Sequence, residues 1–240
     1  MRLDPPDAYW KKDVALFFGK RFALAIKMVY PLAIIAPVAA SGIPAQYAAA
    51  VVGIVAIMAG TFGAGESLTS DLNDGILARL ALTPLSPYRI VFEILGVNAV
   101  LDFLQLLPAL LVVYLLHPVP LIWVCAATFA VFATLVAANC IGVFIANFTS
   151  SPADVLLYAT AILFPLIYIS GFFRNQNPTG LLETLRGFVP FAYTNDALKT
   201  VFGLATGTTP LEILVYPTIV CAALIVLVCL TAPRLLSQRP

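Results

Sequence analysis

Six stretches of this chain are each long and apolar enough to cross a lipid bilayer, and no soluble fold can hide them all. A helical span takes about 20 mainly apolar residues, each rising about 1.5 Å, to cross about 30 Å of hydrocarbon. Phe22 to Ala40, Ala45 to Gly65, Ile90 to Leu116, Pro120 to Asn147, Asp154 to Phe173 and Leu211 to Thr231 meet that requirement. The composition agrees: 61% of the 240 residues are hydrophobic and 10% charged, against about 45–50% apolar and about 25% charged in soluble chains. Barrel strands would show short segments of alternating polarity, and none occur. The expected fold is an all-α membrane protein of six transmembrane helices, one transmembrane domain over residues 1–240. Only residues 1–21, 66–89 and 174–210 are long enough to act outside the hydrocarbon.

Lysine and arginine placement gives an orientation, because cytoplasmic loops retain cations. Nine of the thirteen (Arg2, Lys11, Lys12, Lys20, Arg21, Arg79, Arg89, Arg234 and Arg239) share the side of the two termini. Arg174, Arg186 and Lys199 fall on the other side, and Lys27 lies within the first span. Both termini are therefore expected in the cytoplasm, with 174–210 outside. The first span ends near Ala39-Ala40-Ser41 but reads as an uncleaved anchor, because it is long enough to span and more spans follow. A net charge of +1 supplies no basic stripe for nucleic acid.

Ahead of the first span, Trp10, Val14, Phe17 and Phe18 recur on one helical face, with Lys11, Lys12 and Lys20 mostly off it. This pattern predicts an interfacial helix lying on membrane lipid, its lysines toward anionic headgroups. In the second span Ala49, Gly53, Ala56, Gly60 and Ala64 stand four or three apart, a spacing that lets helices pack closely, within the chain or between subunits. The third span carries Asn98, Asp102 and Gln105 on one face, with Glu93 nearer its start. A charge near the bilayer centre costs at least about 2.5–3.5 kcal/mol and faces a bundle interior or wet cavity. These three residues are candidates for bundle packing, a translocation path or a subunit seam. Cys125, Cys140, Cys221 and Cys229 lie within spans without a Cys-x-x-Cys pair and read as small packing residues. His117, the single histidine, has no partner pattern for a metal.

Two segments outside the spans have helical signals of their own. Ser151-Pro152-Ala153-Asp154 combines a cap hydroxyl, a first-turn proline and an acid at the third position, which fixes the start of the fifth span. In the outer segment, Leu181, Leu182, Leu185 and Phe188 form one short amphipathic stretch closed by Pro190. A second runs from Thr194 to Phe202, capped by Thr194 or Asn195. Two short helices returning to the membrane surface are expected there.

The segment after the second span reads Glu66-Ser-Leu-Thr-Ser-Asp71-Leu-Asn-Asp74-Gly75-Ile-Leu-Ala-Arg79-Leu-Ala-Leu-Thr83-Pro84-Leu85-Ser86. Within it, Asp71-x-x-Asp74-Gly75-x-x-Ala78-Arg79 resembles the opening half of the CDP-alcohol phosphotransferase motif, a membrane enzyme that binds metal through aspartates. Its second pair of aspartates is missing, since the next acids are Glu93 and Asp102. The whole segment, with Glu66, Asp74-Gly75, a Leu-rich helix bearing Arg79, and the Thr83-Pro84-Leu85-Ser86 turn, resembles the loop after span two in type-2 ABC transporter permeases. Ser170-Gly171-Phe172-Phe173 and Pro190-x-x-Tyr193-x-x-x-Ala197-Leu198-Lys199 extend that resemblance over nearly the whole chain. Many relatives have threonine after the acid-Gly pair and arginine in the outer helix, where this chain has Ile76 and Lys199.

The resemblance implies the membrane subunit of an ABC exporter, working with a separate ABC ATPase and a second permease subunit in a prokaryotic plasma membrane. Its cargo would be amphiphilic: a drug, lipid, antibiotic or glycan-lipid. A helix from Ser70 to Leu82, stopped by Thr83-Pro84, would form the projection that the ATPase pushes. The coupling residues would be Glu66, Asp71, Asp74, Gly75, Arg79, Thr83 and Pro84, with Leu72, Leu77 and Leu80 packing on the partner. A solvated face is the plainer reading of Asp71, Asp74 and Arg79. No Gly-x-x-x-x-Gly-Lys-Ser/Thr run occurs, so ATP and magnesium are expected on the ATPase, with no cofactor, catalytic residue or metal in this chain. A membrane assembly protein without transport is the remaining class.

Overall fold

The computed structural model describes residues 10–19, 21–81, 86–173, 180–201 and 210–237, and every element among them is helical. In chain order these are α1 (Trp10–Gly19), α2 (Arg21–Ala40), α3 (Ala45–Asn73), α4 (Ile76–Ala81), α5 (Pro87–Leu116), α6 (Leu121–Ala146), α7 (Pro152–Ser170), α8 (Leu181–Phe188), α9 (Pro190–Val201) and α10 (Pro210–Ser237). Four of them hold stretches long and apolar enough to cross a membrane: Tyr47–Asn73, Pro87–Leu116, Leu121–Ala146 and Pro152–Ser170. Trp10–Gly19 and Leu24–Ala40 form a pair bent by 80° that counts as a fifth if it is one broken span, and Val215–Thr231 is a shorter apolar stretch. The chain is thus an all-helical, multi-pass membrane protein.

Helix ends follow local chemistry. Ser151 accepts from the Asp154 amide while Asp154 accepts from the Ser151 amide, the reciprocal cap expected at the start of α7. The same helix stops at Gly171, whose φ of +83° suits a residue without Cβ. Ser86 caps α5 by accepting from the Arg89 amide at 3.3 Å, with Pro87 at the first position.

Two boundaries differ from expectation. The helix expected from Ser70 to Leu82 is broken: α3 runs on to Asn73, turns at Asp74-Gly75, and restarts as α4. Residues 66–73 contain neither glycine nor proline, and Leu68, Thr69 and Asp71 stay buried, so nothing stops α3 before Gly75 adopts φ +68°. Likewise α9 begins at Pro190, not at Thr194, because proline fits the first turn of a helix that it was expected to exclude. Thr194 and Asn195 then sit inside the helix. The Thr194 hydroxyl meets that of Thr134 at 2.5 Å, and Asn195 Nδ2 donates to the Ser170 carbonyl at 3.0 Å.

The centre of the bundle is α3, which lies along α6 with almost no side chain between the two. A Cβ at Gly142 would fall 2.3 Å from the Thr61 carbonyl oxygen, and one at Gly60 would fall 2.9 Å from Ala138 Cβ. Ala49, Gly53, Ala56, Gly60 and Ala64 are all buried within the chain. The small-residue stripe is therefore an internal packing seam, and Gly53 makes room for the Phe172 ring. Gly142→Ala must push backbone apart and is expected to cost about 1–3 kcal/mol, as overpacking does. Thermal unfolding of the detergent-purified chain should shift down by several degrees, while Gly96→Ala, with open space around it, should not.

Candidate functional site

Three groups of residues singled out in the sequence come together in space. The first is the polar face of α5. Asn98 and Asp102 are buried and Gln105 is half-buried. The Asp102 carboxylate stands against Gly63 of α3, where a Cβ would lie 3.1 Å from its oxygen. The fully buried Asn139 of α6 completes the site. With its amide nitrogen turned to the acceptors around it, Asn139 donates to Asp102 Oδ2 at 3.2 Å and to the Gly60 carbonyl at 2.5 Å. Three helices thus meet on one carboxylate and one amide. Asn98, Asp102 and Gln105 line a cavity of about 370 Å³ whose wall also includes Asp13, Lys27 and Ser67. Glu93 lies nearer the start of α5 and receives Arg89 Nε at 2.9 Å.

The second group is the corner between α3 and α4. Lys12 of α1 donates to both carboxylate oxygens of Asp71, each at 2.5 Å, and lies 3.3 Å from Asp13. Asp71 is buried, whereas Glu66, Asp74 and Arg79 are exposed and Gly75 is half-buried. Asn73 Nδ2 donates to the Ser150 carbonyl at 3.1 Å, and Thr69 and Thr149 hydroxyls meet at 3.4 Å, so the corner is tied to the α6–α7 turn. Leu77 is buried beside Ile90, Ile94 and Val228, with Leu72 and Ile76 partly buried against the same cluster. Leu77 packs inside the bundle, so it is not the partner-facing residue that the sequence suggested, Leu72 is only partly covered, and the Leu80 side chain lies outside what is described. Thr83 and Pro84 lie outside the described residues. On α1, Trp10 and Phe18 are exposed while Phe17 is buried, with Lys27 Nζ 5.9 Å from its ring centroid.

The third group joins the end of α7 to the short helices α8 and α9. Lys199 Nζ donates to the Gly171 carbonyl at 3.1 Å, beside the bond from Asn195 to Ser170. Burial pushes the Lys199 ammonium below its usual range, against the pull of Asp196. Arg186 of α8 pairs with Asp196 of α9. Tyr193 stacks on Tyr216 of α10 at 5.7 Å, and its hydroxyl donates to the Gly187 carbonyl at 2.9 Å. The two short motifs on either side of residues 174–179 are therefore contact partners.

Sequence reasoning missed Asn139 and Lys12 as members of these sites. Asn139 is a lone amide in the apolar run Val136-Ala-Ala-Asn139-Cys-Ile-Gly, which could have marked it. Lys12 gave no such sign, because a lysine on an interfacial helix reads as lipid-facing.

A family model described as ABC-2 type transporter matches residues 8–202. No curated protein matches the chain. The node on α5 carries a direct test. Asn139→Leu leaves the Asp102 carboxylate buried without its amide and should destabilise the chain by about 1–3 kcal/mol. Adding Asp102→Leu should recover part of that loss. A double-mutant cycle on thermal unfolding in detergent measures the coupling, and additive losses would remove Asn139 as the partner.

Proposed function

The chain belongs to the ABC-2 type transporter family, the membrane component of an ABC transporter that associates with an ABC ATPase, and on that premise we propose that it is the permease of an ATP-driven exporter of amphiphiles. The observation that carries this reading is the α3–α4 corner. It is held from three sides, by Lys12 on Asp71, by Asn73 on Ser150 and by Leu77 in the core, and it presents Asp74 and Arg79 outward. A corner that cannot yield locally passes a push to α3 and α5 as whole helices. ATPase closure against Glu66, Asp74, Gly75 and Arg79, with Thr83 and Pro84 next in sequence, would then reach the Asn98–Asp102–Gln105 face.

In this reading ATP and magnesium are bound by the ATPase, and no metal, cofactor or catalytic residue is needed here. Parting of the two acids supports transport over metal-dependent phosphotransfer: Asp71 is engaged by an ammonium while Asp74 is exposed. We place six spans in a prokaryotic plasma membrane, with α2 and α10 as the first and sixth, both termini cytoplasmic, and α8 and α9 folded back at the outer surface. Trp10 and Phe18 of α1 would rest in the inner headgroup layer. Phe17, turned inward, would hold that helix to the bundle. Two such permeases, alike or different, would frame the path, each a single domain over residues 1–240.

Two outcomes check this. In reconstituted complexes, Asp74→Ala and Arg79→Glu should leave insertion and unfolding temperature unchanged while lowering cargo-stimulated ATP hydrolysis several-fold; unchanged stimulation removes the corner as the coupling contact. In a variant lacking the four native cysteines, Ser70→Cys should react with a membrane-impermeant maleimide only after the cells are opened. Labelling in intact cells would invert the topology.

A further inference from the structure

Asp13 is a buried acid on α1 that the coupling scheme leaves unused. The residue is only 8% exposed, and its Oδ2 is sealed from solvent without a hydrogen-bond partner. Its Oδ1 lies 3.3 Å from Lys12 Nζ, but that ammonium is directed at Asp71, 2.5 Å from each carboxylate oxygen. Lys12 thus faces two buried carboxylates, and Asp13 has the poorer share of it. α1 packs on α2 and α5. Among the described residues, the ionisable groups set around Asp13 by its neighbours are Asp71 of α3, Lys27 of α2, and Asp102 of α5, which lines the same cavity and is engaged by Asn139.

An ionised oxygen that neither water nor a donor reaches is costly, and a carboxyl so placed holds a proton more readily. Burial pushes the Asp13 carboxyl above its ordinary value. Lys12 opposes that rise, the Asp71 charge adds to it, and Lys27 opposes it more weakly. We infer that Asp13 is the proton-binding site of a clasp that seats α1 on the end of α3. Protonated, it leaves Lys12 to Asp71 and α1 lies tight; ionised, it competes with Asp71 for Lys12 and loosens α1. The folded chain holds this proton to a higher pH than a free aspartate does, so the clasp is complete in acid and is lost as pH rises through the raised value. Lys12 on Asp71 is one of the three ties that hold the α3–α4 corner, so alkalinity on that side slackens the corner. That side is the cytosol in the orientation proposed above; the orientation and the effect on coupling rest on the transport reading, and the proton site does not.

The full chain in phosphatidylcholine nanodiscs, without ATPase, is titrated by infrared spectroscopy. A protonated-carboxyl band absent from Asp13→Asn should disappear with rising pH at a midpoint clearly above the about 3.9 of a free aspartate. Lys27→Leu should raise that midpoint, because it removes a charge that favours the ionised form. Asp71→Asn should lower it, by freeing Lys12 and removing a like charge. Spin labels in place of the exposed Trp10 and Phe148, in a variant lacking the four native cysteines, read the seating of α1. One narrow distance is expected on the acid side, and a longer, broader one past the same midpoint. Asp13→Asn, a neutral stand-in for the protonated acid, should keep the narrow distance throughout, whereas replacing a residue that merely holds the fold would loosen α1. A midpoint at the ordinary value, a distance indifferent to pH, or loosening in Asp13→Asn would overturn the proposal. In the complete complex, raising the pH should lower cargo-stimulated ATP hydrolysis several-fold more in the wild-type chain than in Asp13→Asn. Equal losses in the two would refute the clasp's part in coupling. A chain that titrates as expected but couples to no ATPase would refute the transport reading and leave the proton site standing.

Discussion

A polar group inside a membrane bundle has to find its partner within the bundle, because the hydrocarbon around it offers none. In this chain that constraint converges on Asp102. Its carboxylate needs space, which Gly63 provides, and a donor, which Asn139 provides while also reaching the Gly60 carbonyl. For Asn139 to reach both, α3 and α6 must lie nearly backbone to backbone, and the glycines at 60 and 142 permit that approach. One buried acid thereby fixes the mutual positions of three long helices. The apolar clusters on either side fill the remaining space without choosing the register.

The same logic holds where the bundle meets its amphipathic helix. Asp71 is near the end of α3 yet buried, and the ammonium that answers it comes from α1. That contact holds α1 beside the cavity at Asp102, where its buried Asp13 and Phe17 form part of the wall. The Asp74-Gly75 turn follows three residues after Asp71, so α1, the cavity and the exposed corner are mechanically one unit. A displacement of the corner moves Asp71, and through Lys12 it moves the helix that walls the cavity.

Four of the long apolar runs, those in α3, α5, α6 and α7, could be read directly because hydrophobic length is a property of the chain alone. So could the Ser151–Asp154 cap, whose partners are three residues apart. What could not be read were interactions chosen by distant neighbours. Asp71 looked like a partner-facing acid until α1 was seen folded against it, and Leu77 looked available until Ile90 and Val228 covered it. Pro190 has the same sequence signature as a stop and as a first turn, and only the docking of Thr194 on Thr134 decides between them. The polar face of α5 was legible from its spacing, but its partner Asn139 sits 37 positions from Asp102 (139 − 102) in another helix. The small-residue stripe in α3 was equally compatible with a subunit contact until Gly142 was found opposite it.

The central claim is that the α3–α4 corner is where ATP-driven force enters this chain. A photo-reactive amino acid placed at position 79, in cells that express the chain with its transporter partners, tests it most directly. The account predicts a crosslinked product containing an ATPase with a Gly-x-x-x-x-Gly-Lys-Ser/Thr loop, and none from the same probe at Phe188 on α8. A crosslink to that ATPase from position 188 but not from 79 would contradict both the coupling site and the orientation.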